Sequence, residues 1–248
     1  MRGWLAAVAV VAAACSACSP AHPPAGTLTV FAAASLKAPF TDLAHRFEKA
    51  HAATTVTLNF AGSSDLVAQL DQGAPADVFA SADAANMTKA VDSGLVSGSP
   101  ANFATNTLTI VTRPGNPRGI KGFADLATPE LQLVVCAPQV PCGAATARLE
   151  RSTGVTLRPV SEESSVTDVL GKVTSGQADA GLVYVTDAAT AGDEVTAVPF
   201  PEARNAVNVY PIAVLEKAGD RSAAAAFIEL VTGAEGRKVL SDAGFAQP

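Results

Sequence analysis

The chain has 248 residues, enough for one large domain or two smaller lobes, each with a core of its own. Hydrophobic residues make up 48% and charged residues only 16%, which indicates a packed globular protein and excludes a disordered chain. The formal net charge of −6 argues against a nucleic-acid partner, because contacts to phosphates need clustered Lys and Arg.

The N-terminus is typical of an export signal rather than of folded structure. Arg2 precedes an apolar run, Trp4 to Ala14, which is too short to span a bilayer and has the length of a signal-peptide core. We therefore predict a signal peptide over residues 1–17, and an ordinary secretory signal cleaved nearby is the alternative to a lipoprotein signal.

Two cysteines, Cys15 and Cys18, follow small residues at the end of this signal, as in a lipobox, where the cysteine becomes lipidated. We predict lipidation at Cys18, because cleavage before Cys15 would leave a spare thiol in an oxidising compartment. The better run of small residues precedes Cys15, which remains the alternative. Residues 18–26 then read as a Pro-rich tether.

From Leu28 onward, short apolar runs alternate with helical spacing, the pattern of α/β sheets with crossover helices. Before a break at Arg113–Pro117 we predict, in chain order, strand 28–31, helix 36–47, strand 56–60, helix 66–70, strand 78–80, helix 87–91 and strand 108–111. After it we predict strand 133–136, helix 143–151, helix 166–173, strand 180–185, strand 208–215 and two C-terminal helices divided at Gly233. Two such sets predict two lobes with a ligand between them.

The remaining cysteines, Cys136 and Cys142, are six positions apart. In an exported chain they are candidates for a disulfide, which we predict between them. With neither a second cysteine pair nor nearby histidines, this spacing is a poor zinc site. We expect no metal cation bound directly by side chains and no cofactor.

No motif in the chain assembles a catalytic site. There is no G-x-S-x-G elbow, no Walker A loop and no Rossmann glycine pattern. Of the three histidines, His22 lies in the tether, while His45 and His51 lie on the polar side of the first helix, six apart, where metal ligands would be three or four apart. We therefore expect a binding protein and not an enzyme.

Four loops share one pattern, in which a strand ends, small or hydroxyl residues follow and a helix begins. They are Ala32–Leu36, Ala61–Asp65, Pro141–Gly143 and Ser164–Val166. A helix start offers unpaired backbone N–H groups and the positive end of a dipole, so it can bind an anion without a cationic side chain. Simple N-capping by serine explains any one such loop, but four in one exported chain favour an anion site.

Five motifs in fixed order carry a family resemblance: VFAAASL (30–36), FAGSS (60–64), GAPADVF (73–79), SAD (81–83) and GLVY (181–184). With them the chain resembles the molybdate-binding proteins of bacterial ABC importers, from about Leu28 to the C-terminus. FAAAS together with GAPADVF is the most specific pair of motifs. The resemblance is least specific over residues 102–132.

The resemblance implies a two-lobed periplasmic-binding fold of the second type, with a ligand cleft between the lobes and two crossover strands, near 107–112 and 207–213. The first lobe would comprise residues 27–106 and 210–248, and the second lobe residues 107–209. The protein would be a monomer anchored by lipid to the outer face of the cytoplasmic membrane. It would deliver molybdate or tungstate to the permease and ATPase subunits of an ABC importer.

The resemblance also implies five donors to the oxyanion: the hydroxyl groups of Ser35, Ser63 and Tyr184 and the backbone N–H groups of Cys142 and Val166. Cys142 departs from the family, in which a small residue usually offers this N–H. Pro39 departs too, since it falls in the first turns of the helix after Ser35.

Three alternatives remain open on the sequence. The first is a binding protein for another oxyanion, such as sulfate, phosphate or thiosulfate. The second is a ferric-ion binder, for which Tyr184 and Tyr210 are the only tyrosines. The third belongs to a different class, an exported lipoprotein hydrolase that uses a serine, although no histidine partner for it is evident.

Overall fold

A computed structural model of the protein describes residues 26–248, so the predicted signal peptide and the lipidation at Cys18 or Cys15 lie outside the described residues. Within that range ten strands form two separate five-stranded sheets. In the same range no helix combines the length and the apolar character needed to cross a membrane.

The first sheet combines the N-terminal strands with one strand from near the C-terminus. Its spatial order is β2 (Thr54–Ala61), β1 (Gly26–Ala33), β3 (Val78–Ala80), β10 (Asn208–Leu215) and β4 (Val96–Asn106). The first three strands are parallel, while β10 runs antiparallel to both of its neighbours. A strand from the end of the chain therefore lies inside the sheet and not at its edge.

Alternation along β1 explains why the first sheet is covered on both faces. Leu28 and Val30 belong to one core with the aromatic side chains of Phe40 and Phe227. Phe31 points the other way, into a second core that contains Phe79. Successive side chains of a strand point to opposite faces, so a strand with apolar side chains on both faces needs to be covered on both sides.

The second sheet is built from the middle of the chain. Its order is β7 (Ser161–Glu163), β6 (Leu133–Cys136), β8 (Ala180–Tyr184), β5 (Leu108–Thr112) and β9 (Thr196–Val198). Its strands share a single hydrophobic core with the helices that cover them. The result is the mixed α/β, two-lobed architecture that the sequence predicts.

The described residues form eight α-helices: α1 (Lys37–Ala50), α2 (Ser63–Asp71), α3 (Ala84–Asp92), α4 (Pro141–Thr153), α5 (Val166–Thr174), α6 (Val185–Ala191), α7 (Arg221–Thr232) and α8 (Ala234–Asp242). The first six lie between strands, and the last two follow β10. A 3-10 turn, Ala34–Leu36, precedes α1, so the α-helix proper begins at Lys37. Pro39 therefore lies in the first turn, where its missing N–H deprives the helix of no internal hydrogen bond.

The chain passes between the sheets twice, in two different ways. Strand β4 ends at Asn106 and β5 begins at Leu108, so the first crossing takes a single residue. The return runs from β9 through a 3-10 helix, Pro201–Ala206, and is not a continuous strand. Because Asn208 already pairs with Asn106, the first sheet resumes at 208, two positions before the expected 210.

The elements predicted from hydrophobic spacing are present, and the unpredicted ones lack that signal. Strand β4 is polar and contains Gly98 and Pro100, yet it pairs along β10 with two irregularities in register. It is an edge strand, where proline and glycine are tolerated. Helix α6 begins where the sequence predicts the last residue of a strand, because Tyr184 is its N-cap.

Candidate anion-binding site

A small cleft lies between the two lobes, where loops from both sheets meet. All five sequence-predicted donors line it, and its described lining residues are Ala33, Ala34, Ser35, Gly62, Ser63, Ala82, Val140, Pro141, Cys142, Val166 and Tyr184. None of these described residues carries a charge. The cavity volume is about 10 Å³, far below the roughly 300–1,000 Å³ typical of pockets for drug-sized ligands.

Helix starts from both lobes meet at this cleft. Ser63, Cys142 and Val166 lie in the first turns of α2, α4 and α5, where backbone N–H groups have no acceptor within the helix. Ser35 lies in the 3-10 turn that leads into α1. The positive ends of these helices supply the attraction for an anion that charged side chains do not supply here.

The hydroxyl group of Ser63, in the loop Ala61–Asp65, is oriented so that it can donate a hydrogen bond. Ser63 is 1% exposed, and its Oγ accepts a hydrogen bond from the backbone N–H of Ala82, with 3.0 Å between the atoms. Its own proton therefore remains available for a bound acceptor. In the first loop, the Oγ of Ser35 lies 3.1 Å from the hydroxyl of Tyr210.

The phenol of Tyr184 is placed from the second lobe. Tyr184 ends β8 and is fully buried, and its hydroxyl accepts a hydrogen bond from Nδ2 of Asn208 at 2.7 Å. Burial, reinforced by the neighbouring Tyr210 and by nearby aspartates, raises the pKa of Tyr184 well above its usual value. The phenol therefore keeps its proton at neutral pH and can donate it to an anion.

The two backbone donors of the second lobe sit on firmly held turns. The side chain of Ser165 caps α5 by accepting from the N–H of Asp168, while the Val166 side chain packs into the core. Cys142 is joined to Cys136 by a disulfide. Gly143 follows in such close contact that an added Cβ would lie 2.0 Å from the carbonyl oxygen of Ala137, so this turn admits no side chain there.

Two further residues, which the sequence did not single out for this site, connect the predicted donors. Asn208 donates to the carbonyl oxygen of Ala82 at 2.8 Å as well as to Tyr184. Tyr210 lies beside Tyr184, with ring centroids 6.0 Å apart, and contacts Ser35. Both residues belong to β10. The sequence marks Tyr210 only as one of the two tyrosines of the chain, with Tyr184, and gives no comparable signal for Asn208.

The lobes are in contact around the cleft. An added Cβ at Gly62 in the first lobe would lie 2.1 Å from the carbonyl oxygen of Ser164 in the second. Nδ2 of Asn86 donates across the cleft to the carbonyl oxygen of Gln139 at 3.3 Å. The structure is therefore a closed form, and a glycine at position 62 is what lets the backbones meet.

One buried carboxyl group lies next to the site without lining it. Oδ2 of Asp187 accepts from the backbone N–H of Tyr184 at 3.2 Å and so caps α6. Burial raises the pKa of Asp187 to about 7, against the lowering effect of that hydrogen bond. Within residues 26–248 no group of three or more His, Cys, Asp or Glu side chains is arranged to hold a metal ion.

Comparison with known proteins identifies the family. Residues 28–246 match the family model described as bacterial extracellular solute-binding protein. The chain is 54% identical over 235 residues to the molybdate-binding protein ModA of Mycobacterium tuberculosis, covering 92% of this chain and 90% of that relative. It is 31% identical over 232 residues to ModA of Escherichia coli, covering 89% of each.

Among solved structures, the periplasmic molybdate-binding protein of Azotobacter vinelandii matches with a TM-score of 0.77 at 23% identity. The match covers 89% of this chain and 99% of that one. At 23% identity, this structural similarity shows that the two proteins share a fold. Together with the family model, which spans nearly all of the described residues, it settles the class of protein: the chain belongs to the bacterial extracellular solute-binding proteins.

Proposed function

We propose that this protein binds molybdate, or the nearly identical tungstate, in the cleft between its lobes and delivers the ion to an ABC importer. The observation that carries the proposal is the convergence of Ser35, Ser63, Cys142, Val166 and Tyr184 on one small uncharged cleft. These residues are far apart in the sequence and come from both lobes, so capping of single helices does not explain why they meet.

The donor set favours a fully deprotonated tetrahedral ion. Each of the five groups can donate a hydrogen bond, and none is an obligate acceptor. Hydrogen phosphate carries a proton that needs an acceptor, and burying that proton unpaired costs about 1–3 kcal/mol. Molybdate, tungstate and sulfate carry no proton at neutral pH and avoid this cost.

The relatives support the choice among these ions. The Mycobacterium and Escherichia relatives are both named as molybdate-binding proteins, and the first shares more than half of its residues with this chain. A sulfate-binding protein of Synechococcus elongatus is more distant, at 26% identity. Sulfate, with equal charge and a smaller radius, is thus the competing ligand that a test must include.

Calorimetric titration of the mature protein with molybdate, tungstate, sulfate and phosphate tests the proposal. We expect tight binding of the first two ions, weaker binding of sulfate and no binding of phosphate. Elemental mass spectrometry of natively purified protein should find molybdenum or tungsten. Phosphate binding as tightly as molybdate would show that the ligand assignment is wrong.

The family places the protein outside the cytoplasmic membrane, and we propose that a lipid at Cys18 holds the monomer there. Replacing the modified cysteine removes the anchor, so Cys18→Ala should release the protein to the medium or leave its signal uncleaved. Metabolic labelling with a fatty acid measures this directly. Unchanged labelling of the variant would move the anchor to Cys15.

A further inference from the structure

Arg148 is connected to the phenol of Tyr184 through one intervening amide, that of Asn208. It lies on α4, two turns beyond Pro141, so it shares the face of the helix that leads to the cleft. Its guanidinium donates to Oδ1 of Asn208 and, at 3.4 Å, to the carbonyl oxygen of Ala206. These contacts connect the middle of α4 to the segment that returns to the first lobe.

Among residues 26–248, no carboxylate pairs with the charge of Arg148. It is only partly exposed, yet in the described part of the chain it takes part in no ion pair. A cation withdrawn from water without a counter-ion is costly, and side chains kept in that state are candidates for a functional role. In a protein of net charge −6, an anion bound nearby would supply the missing partner.

The same contacts fix which way the amide of Asn208 points. A guanidinium only donates hydrogen bonds, so the atom facing Arg148 must be the amide oxygen. Nδ2 then faces the other way, toward the hydroxyl of Tyr184 at 2.7 Å and the carbonyl oxygen of Ala82 at 2.8 Å. Since the phenol oxygen accepts from Asn208, its own proton remains available to an acceptor in the cleft.

We propose that Arg148 is a positioning residue for the oxyanion: through Asn208 it orients the hydroxyl of Tyr184 as a donor to the bound ion. The inference rests on the proposed function, since it needs an anion in the cleft. Without Arg148 the amide oxygen loses its charged donor, so Nδ2 is held toward the phenol less firmly and donates a weaker hydrogen bond to it. Each hydrogen bond in the series from Arg148 through Asn208 to Tyr184 also polarises the next one. The positive charge of Arg148 therefore strengthens the phenol as a donor.

The first test needs no ligand. The chain has two tyrosines, so ¹³C labelling of the phenol carbon gives two resonances, and the Tyr184→Phe variant assigns them. We expect Arg148→Met to shift the Tyr184 resonance in the ligand-free protein. The matched control is Arg151→Met, an equal charge change at an exposed position on the same helix, which should leave the resonance in place.

The second test is a double-mutant cycle in molybdate affinity, measured by calorimetry. Arg148→Met should weaken binding about tenfold, the factor equivalent to roughly 1.4 kcal/mol. In the Tyr184→Phe background, which has no hydroxyl to orient, the same change should weaken binding less than about twofold. Arg148→Lys, which restores a charged donor, should recover part of the loss, and thermal unfolding confirms that each variant is folded.

The outcomes separate this inference from the function on which it rests. Wild-type protein that binds none of the four oxyanions refutes the proposed function, and the inference falls with it. Wild-type binding with an unmoved Tyr184 resonance, or with equal losses in the two backgrounds, overturns the inference alone. An equal loss in Arg151→Met would also overturn it, because net charge would then explain the effect.

Discussion

Replacing Gly62 with alanine should hold the lobes apart and weaken ligand binding without destabilising the fold. Gly62 has φ −59° and ψ 141°, which alanine adopts freely, so the change introduces no backbone strain. The only severe obstacle is across the cleft, where the new Cβ would lie 2.1 Å from the carbonyl oxygen of Ser164. A lobe that swings away removes this overlap, and each lobe keeps its own core.

The size of the effect follows from that distance. Ordinary contact begins at 3.4 Å, so the backbones must separate by about 1.3 Å at this point. In the proposed site, Ser35 and Ser63 belong to one lobe and the other donors to the second. An ion could not keep normal bonds to both lobes, because hydrogen bonds weaken steeply beyond about 3.2 Å. Losing two bonds to a charged group, at about 1.5 kcal/mol or more each, gives at least a hundredfold loss of affinity.

Calorimetry with molybdate measures the affinity, and small-angle X-ray scattering with and without the ion reports lobe closure. The control is Gly171→Ala on α5, where an added Cβ meets nothing within 4 Å. It should bind like the wild type. Gly62→Ala should show the melting temperature of the wild type but scattering that no longer changes with ligand. Undiminished affinity in Gly62→Ala would show that the Ser164 carbonyl yields locally, and that contact at Gly62 does not control closure.

The other predictions concern single groups of the site and of its supports. Ser35→Ala and Ser63→Ala should each weaken molybdate binding by about ten- to a hundredfold in calorimetry, since each removes a hydroxyl from a buried charge; full affinity in both would place the site elsewhere. Intact-mass analysis of the mature protein should show the Cys136–Cys142 disulfide, and replacing both cysteines with serine should lower the free energy of unfolding by about 2 kcal/mol, since the closed loop is short; two alkylatable thiols in the native protein would contradict this. Asp187 titrates near 7 when folded and near 3.8 when unfolded, so its stabilising contribution is complete below pH 4 and is lost as the pH rises through 7. The stability advantage of Asp187→Asn over the wild type should therefore grow by about 2.6 kcal/mol from pH 5 to pH 8 in thermal unfolding, and an equal difference at the two pH values would refute the assigned pKa.

Local chemistry in the sequence was sufficient to predict the helix starts that line the cleft. Small and hydroxyl residues before Leu36, Leu66 and Val169 mark N-termini, and these termini meet in the structure. Hydrophobic spacing also located β6 and β10 to the residue, because each is a largely apolar, buried run. Signals of this kind depend on neighbours in the chain and need no knowledge of the fold.

The connections between those termini depend on contacts that no local pattern encodes. Tyr210 reaches Ser35 across 175 positions, and Asn208 reaches Tyr184 across 24. In the sequence, Tyr210 and Asn208 are each a single polar residue in an apolar strand. A role in packing alone would explain the presence of either. Strand β4 was missed for a related reason: its pairing with β10, and not its own composition, makes it a strand.

The position of β10 makes the order of synthesis matter. The second sheet is encoded without interruption by residues 108–198, so all of its strands exist before β10 has been made. The first sheet by then has β3 and β4 but not the strand that separates them, and their unpaired edges invite wrong partners. Strand β10 fills that gap, and it also brings Asn208 and Tyr210 to the cleft. A shortened chain that ends before residue 208 would thus lack both a closed first sheet and a finished anion site, so capture of the ion is reserved for chains in which β10 has been made.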